Sequence, residues 1–401
     1  GTPTGRLNYW GYGAGYLFAP KASYTSGKEK EPEREFKDLV KEFHKNDIEV
    51  LVELYFTGEE SAALAQEAVR FWVYEYHVDG VHLSGFAPAE LLASDPLLAD
   101  TKLLAGSWDG VRVPKTAAAS KLRERRWHLG EYNEGFLIDM RRVLKGDEDQ
   151  VGRLIYQTRR NPDAYGVINY MAATNGFTMM DMVSCEQKHN EANGENNRDG
   201  SDYNYTWNCG VEGTTRKKKI VQMRKKQLRN AFLLLFLSQG TPMFLAGDEF
   251  GNSQNGNNNA YCQDNEISWL DWKGYKSGNS EMFRFVKDLI AFRKKHKILH
   301  MGQELSMTDS LSCGFPGISY HSSSAWYGEL DGQNRKIGVM YCGKYADEDE
   351  LIYIAYNMHW MEHTFALPAL PGGYRWNVAL DTSEGILEED KWRLLPDSRQ
   401  V

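Results

Sequence analysis

Ile48-Glu-Val-Leu-Val-Glu-Leu54 and Asp79-Gly-Val-His-Leu-Ser84 are short apolar runs of strand length, and Leu64 to Tyr76 between them repeats its apolar residues at helical spacing. Upstream, Phe36, Leu39, Val40, Phe43 and His44 recur on one helical face. Downstream the alternation continues. Pro88 to Leu98 reads as helix, Thr101 to Ala105 as strand, Tyr132 to Leu144 as helix stopped by Lys145-Gly146, and Gly166 to Ala173 as strand. Lys217 to Leu237 reads as a long helix, Gly240 to Gly247 as a buried strand, and Ser280 to Lys297 as the last clear helix. Strands and helices in alternation are the mark of an α/β architecture.

After about residue 302 the texture changes to short alternating strands: Lys336-Ile-Gly-Val-Met-Tyr341, Leu351-Ile-Tyr-Ile-Ala-Tyr356 and Trp376-Asn-Val-Ala-Leu380. They predict a small antiparallel domain. The expected division is therefore 1–302 and 303–401. Two polar stretches, residues 186–214 and 251–265, are long loops of the kind that compact domains keep for function or shaping.

With 41% hydrophobic residues over 401 positions, the chain can bury a large core. The net charge of -8 excludes a broad basic surface for nucleic acid. No apolar run has transmembrane length. Cys185, Cys209, Cys262, Cys313 and Cys342 are isolated, without a C-x-x-C pair or a companion histidine at metal spacing. The expectations are reduced thiols, no bound metal and no cofactor. The implied compartment is reducing: cytoplasm, or plastid stroma in a plant. The start, Gly1-Thr-Pro-Thr-Gly5, has no signal-peptide character.

Several long stretches, in order, resemble the isoamylase and glycogen-debranching branch of glycoside hydrolase family 13. Asn8-Tyr-Trp-Gly-Tyr12 with Leu17-Phe-Ala-Pro20 is similar to that family's second-strand segment. Lys188-His-Asn-Glu-Ala-Asn-Gly-Glu-Asn-Asn-Arg-Asp-Gly200 with Tyr205-Thr-Trp-Asn-Cys-Gly210 is similar to a signature of the branch. Ser238-Gln-Gly-Thr-Pro-Met243, Gly247-Asp-Glu-Phe250 and Asn257-Asn-Asn-Ala-Tyr-Cys-Gln-Asp264 resemble its eighth-strand region. The resemblance implies a (β/α)₈ barrel of the TIM type followed by a C-terminal β-sandwich. It also implies that the first strand–helix unit is missing, which leaves a seam for an upstream stretch or a protein partner to cover.

The family's chemistry needs two carboxyls about 5–5.5 Å apart, one to protonate the leaving oxygen and one to attack the sugar. Where the resemblance places the nucleophile, D-G-F-R-F-D reads Asp79-Gly-Val-His-Leu-Ser84; the nucleophile is Ser84 and the supporting Arg is His82. Where it places the acid, A-E-P-W-D reads Ala105-Gly-Ser-Trp-Asp109, so the acid is Gly106. Where it places the third carboxylate, A-H-D-G-F-T reads Ala173-Thr-Asn-Gly-Phe-Thr178; the Asp is Asn175 and the sugar-binding His is Thr174. The third-strand Asn-His pair becomes Thr57-Gly58.

The expectation is a catalytically inactive relative that binds α-glucan (glycogen, starch or maltooligosaccharide) or regulates an active debranching enzyme, as plant debranching-enzyme homologues do by family analogy. One alternative is an active hydrolase with relocated carboxylates, Glu131 foremost among Glu53, Asp79, Asp109 and Glu131. Another is a scaffold that has lost carbohydrate contact. Trp10, Tyr12, Trp108, Trp127, Phe177 and Trp207 are the rings expected to stack on sugar. Asp248-Glu249 and the Glu191–Asp199 run read as structural, and His82 as a hydrogen-bonded barrel histidine.

Overall fold

The computed structural model describes residues 4–27, 31–111, 128–273, 280–386 and 393–394. Six strands form one sheet in chain order: β1 (Leu51–Phe56), β2 (Gly80–Gly85), β3 (Lys102–Ala105), β4 (Leu129–Asn133), β5 (Gly166–Tyr170) and β6 (Thr241–Met243). β1 to β4 pair in parallel. This is the strand arrangement of a (β/α) barrel wall. The sheet begins at the third strand of the family's count: Asn8 to Tyr12 has no regular structure, with a single bend at Trp10, rather than a strand. Only Thr241–Met243 of the expected Gly240–Gly247 strand is extended, and it is half exposed rather than buried.

The chain divides into two compact units. The first comprises residues 10–133 and 162–168. In it, α1 (Pro32–His44) starts with a proline at its first position, where no backbone donor is lost. The Oγ of Ser61 caps α2 (Ala62–Tyr76) by accepting from the Leu64 amide at 3.1 Å. Asp79 joins the feet of β1 and β2: its carboxylate accepts from Val50 N and lies against His44 Nε2, each at 2.7 Å. Gly80 needs to be glycine, because a Cβ there would come 2.5 Å from the Lys102 carbonyl oxygen.

Burial alternates along these strands, and the alternation assigns their faces. Leu54, Phe56, Val81, Leu83, Leu103, Ala105 and Leu129 are buried and pack in one cluster with Ala65, Ala68, Val69 and Trp72 of α2. That is the helix-covered face. Glu53, Tyr55, His82, Ser84, Leu104, Gly106 and Tyr132 alternate with them and occupy the other face.

The second unit comprises residues 1–9, 134–161 and 169–401. Its described α-helices include α4 (Glu134–Lys145), α5 (Val151–Arg159), α6 (Met179–Met182), α7 (Lys218–Phe236) and α8 (Ser280–Lys295). α3 (Ala89–Ala93) belongs to the first unit. After residue 302, β7 (Ile318–His321), β8 (Lys336–Cys342) and β9 (Leu351–Asn357) form an antiparallel sheet, with Ile318 opposite Tyr341 and Lys336 opposite Asn357. β8 is buried throughout, as a central strand covered on both faces must be. Its Ile337, Val339 and Tyr341 share a core with Phe232 and Phe236 of α7 and Leu289 of α8, and Tyr341 donates its hydroxyl to the Leu237 carbonyl at 3.0 Å. Among the described residues no helix is long and apolar enough to cross a membrane.

Candidate functional site

The face of β1–β4 not covered by helices holds, at its C-terminal edge, positions to which the sequence resemblance assigns the family's chemistry, and such edges are where barrel enzymes build their sites. Strand register brings Tyr55 beside Ser84 and Glu53 beside His82. Glu53 is the hub. Its Oε1 accepts from the Ser84 hydroxyl at 2.6 Å and lies 3.3 Å from His82 Nδ1. Its Oε2 accepts from the Tyr12 hydroxyl at 3.0 Å. His82 stacks flat on Tyr132, ring centroids 3.9 Å apart. Trp10, Tyr12 and Tyr55 form an edge-to-face run at 5.9 and 5.7 Å.

The electrostatics follow from this wiring. Burial pushes the Glu53 carboxyl up, but hydrogen bonds from His82, Ser84 and Tyr12 outweigh it and leave the group below the usual carboxylate range. Burial and the adjacent Glu53 charge raise the Tyr12 phenol well above its ordinary value and push Tyr132 up to about 12. Glu53 is thus an anion at neutral pH, beside two phenols, Tyr12 and Tyr132, that keep their protons. A carboxylate held this way cannot deliver a proton to a leaving oxygen, which in glycosidases requires a raised pKa.

Ser84 is half buried and its hydroxyl is committed to Glu53. Gly106 is exposed one residue beyond the paired Leu83 and Ala105, and a Cβ built on it meets no heavy atom within 4 Å. At Thr57-Gly58, where the resemblance places the Asn-His pair, Glu60 closes a turn by accepting from the Thr57 hydroxyl and the Gly58 amide, each at 3.0 Å. The connection from β1 to α2 is therefore only residues 57–61. In the second unit, Thr174 and Asn175 are exposed on the segment after β5.

Glu131 does not fit a relocated catalytic role. It pairs with Ala105, which places it on the helix-covered face, opposite in parity to Ser84 and Gly106, and it is 7% exposed. Asp109 accepts from the Tyr165 hydroxyl at 3.0 Å and holds a loop. Asp248 is buried, pushed up to about 7 by burial, and accepts from the Met179 and Leu245 amides, in keeping with a structural part.

The expected sugar-facing rings separate. Tyr12 reaches Glu53, Trp10 packs edge-on against Tyr12, and Trp207 is half buried in the second unit. Trp108 and Phe177 are corrections: Trp108 is buried, donating to the Gly130 carbonyl at 2.8 Å, and Phe177 is wholly buried. Both close loops onto the core and present no face to a ligand. Trp127 lies outside the described residues. The Glu191–Asp199 stretch is shaped by an amide network, in which Asn190 donates to Asn258, Asn258 to Asn204, and Asn257 and Gln263 to Asn193. The reach of Tyr12 and Ser84 to Glu53 spans 41 and 31 residues of sequence and left no local signal.

Ser84→Asp sets a second carboxylate at hydrogen-bond range of Glu53. Two such groups do not both ionise without cost, so one acquires a folded-state pKa above its unfolded value. The folded variant then holds that proton more tightly, so its penalty is full at neutral pH and fades as pH falls through the raised value. In the parent, the lowered Glu53 pKa contributes stability present above an ordinary glutamate value of 4.5 and lost below it. The expected loss is about 1 kcal/mol at pH 7, kept small by partial exposure. Thermal unfolding should show the gap from the parent narrowing between pH 7 and pH 5; a gap that ignores pH refutes the placement.

No protein-family model matches the chain. The glycogen operon protein GlgX homolog of Mycobacterium tuberculosis is 33% identical over an alignment of 363 positions, covering 73% of this chain and 50% of that protein. A glycogen debranching enzyme of Erwinia tasmaniensis is 34% identical, covering 73% and 53%. Isoamylase 1, chloroplastic, of Arabidopsis thaliana is 28% identical over 475 aligned positions, covering 94% and 58%. That alignment is longer than the 401 residues here, so it crosses segments of the relative with no counterpart in this chain. The chain spans about half the length of the curated relatives it matches. Among solved structures, pullulanase type I of Bacillus subtilis complexed with maltose matches 98% of this chain and 57% of its own at a TM-score of 0.67 and 16% identity, a likeness of fold.

Proposed function

We propose that this chain, which belongs to the glycogen-debranching branch of glycoside hydrolase family 13, is an α-glucan-binding protein whose hydrolytic centre has been dismantled, acting by holding glucan or by regulating an active debranching enzyme. The observation that carries the reading is the state of Glu53. It is the carboxylate bonded to the nucleophile's replacement, Ser84, and three donors hold it as an anion. Held as an anion it does not act as the acid, both of its oxygens are engaged by hydrogen bonds, and Gly106 supplies no group where the resemblance places the acid.

Glucan binding rests on the aromatic run Trp10–Tyr12–Tyr55 beside that edge. Flat rings cover the apolar faces of pyranoses, and the relatives named for glycogen and maltose support this ligand class.

Affinity electrophoresis in gels containing amylopectin or glycogen, paired with a reducing-end assay, tests this directly. The chain is expected to be retarded without releasing sugar. Trp10→Ala is expected to weaken retention about 5- to 10-fold, the scale of one lost stacking contact of about 1 kcal/mol. Unretarded migration removes the glucan reading. Sugar release that Glu53→Gln abolishes restores the hydrolase alternative.

A further inference from the structure

The geometry points to a zinc-class cation site built from Cys185, His189 and Glu212, at the root of the 186–214 loop in the second unit. One ligand atom from each lies within 4.8 Å of the others. Three ligands of thiolate, imidazole and carboxylate type are the donor set of a four-coordinate zinc site that keeps one position for water. Zinc at its usual bond lengths would hold such atoms roughly 3.3–3.7 Å apart, so closure shortens their separations by at most about 1.5 Å.

The surroundings hold the three groups in place from outside. The other oxygen of Glu212 is already occupied, accepting from Glu186 N at 2.9 Å and Asn208 Nδ2 at 3.0 Å. This leaves Oε1 facing His189 Nε2 at 2.9 Å, with a longer contact of 3.3 Å from Gln187 N. The His189 amide is fixed to Gly256 O at 2.7 Å. Cys185 is fixed through its amide to Asp181 O at 2.8 Å and through its carbonyl to the Thr206 hydroxyl at 2.6 Å. Arg224 binds the carbonyls of Asn208, Val211 and Gly213, which sets the turn that carries Glu212. Gly256 closes one side: a Cβ there would sit 2.6 Å from His189 Cδ2 and 3.0 Å from Cys185 Sγ. Supporting contacts of this kind orient metal ligands. Cys185 is buried, His189 intermediate and Glu212 exposed, so the site opens to solvent on one side and a cation can enter.

Binding would exchange one proton of the Cys185 thiol for the metal and would staple the start of the loop to its end. The sequence reading found no histidine at metal spacing beside Cys185; His189, four residues on, and Glu212, 23 residues beyond that, are brought to it by the fold. The inference stands apart from whether the chain cuts or holds glucan.

The test uses the full chain stripped with chelator and titrated with Zn²⁺ or Co²⁺. One equivalent of Co²⁺ is expected to produce a thiolate-to-cobalt charge-transfer band and tetrahedral ligand-field bands. Cys185→Ser should abolish the charge-transfer band, and His189→Gln should weaken Zn²⁺ binding at least about 10-fold, while Cys313→Ser changes neither. On the unmodified chain, Zn²⁺ should protect Cys185, mapped by mass spectrometry, from alkylation. That readout serves if either variant fails to fold. No charge-transfer band, a band that survives Cys185→Ser, or Cys185 alkylation unaffected by Zn²⁺ overturns the site.

Discussion

Freed of contaminating amylases, the chain is expected to release no measurable reducing ends from amylopectin or glycogen. Residues that act as a catalytic unit cost on the order of 10⁶ in rate when the unit is lost. Against a typical turnover of about 10 s⁻¹, the remainder is about one event per day per molecule. Here the losses compound: hydroxyl at Ser84, hydrogen at Gly106 and amide at Asn175 stand where the resemblance places carboxyls. Glu53 cannot substitute as the acid, because its hydrogen bonds favour its charged form. Turnover within about 100-fold of a typical glycosidase would overturn the inactive reading. Gly106→Glu alone is expected to leave the rate unchanged although the site has room for the side chain, because an acid without its attacking partner does not complete the reaction. A rate restored by that single change would show that a nucleophile survives elsewhere.

Arg141→Met is expected to destabilise the second unit by about 3 kcal/mol. Arg141 lies on α4 and is 3% exposed. Its guanidinium makes four hydrogen bonds to three carbonyls: two to Met171 O at 2.9 and 2.6 Å, one to Asn204 O at 3.0 Å and one to Phe177 O at 3.2 Å. Burial lowers its pKa to about 10, so it still carries its charge at pH 7. Hydrogen bonds to a charged group are worth about 1.5–3 kcal/mol each, and carbonyls orphaned in the interior add their own penalty. Methionine recovers part of this by packing without a charge to desolvate, hence the net figure. Guanidinium unfolding should show a lower midpoint at an unchanged slope; a change below about 0.5 kcal/mol would mean these bonds do not hold the segment. Met171 and Phe177 bracket Thr174 and Asn175, so the same residue shapes the stretch that follows β5.

The alternation of elements was legible because amphipathic periodicity is local. The helix expected at Lys217–Leu237 appears as Lys218–Phe236, and Lys336–Tyr341 as Lys336–Cys342. Where the expectation slipped, long-range forces intervened. Tyr132 belongs to a strand and the helix starts at Glu134, since pairing of β3 with β4 overrides the local apolar stripe. The α5 helix and β7 went unread: one is short, and the other borrows its stability from Tyr341 and its neighbours on β8.

By itself, the order of residues determined which groups are present to do chemistry. Hydroxyl, hydrogen and amide at 84, 106 and 175 are facts of composition that no folding can reverse. Tertiary structure alone decided which remaining groups meet. Strand register sent Glu131 to the helix side and left Glu53 with Ser84, His82 and Tyr12. Packing turned Trp108 and Phe177 inward, and loop closure brought Glu212 to Cys185 and His189. Periodicity constrains a residue to one side of its own element, whereas its neighbours across the fold are set by pairing and burial between segments far apart in the chain.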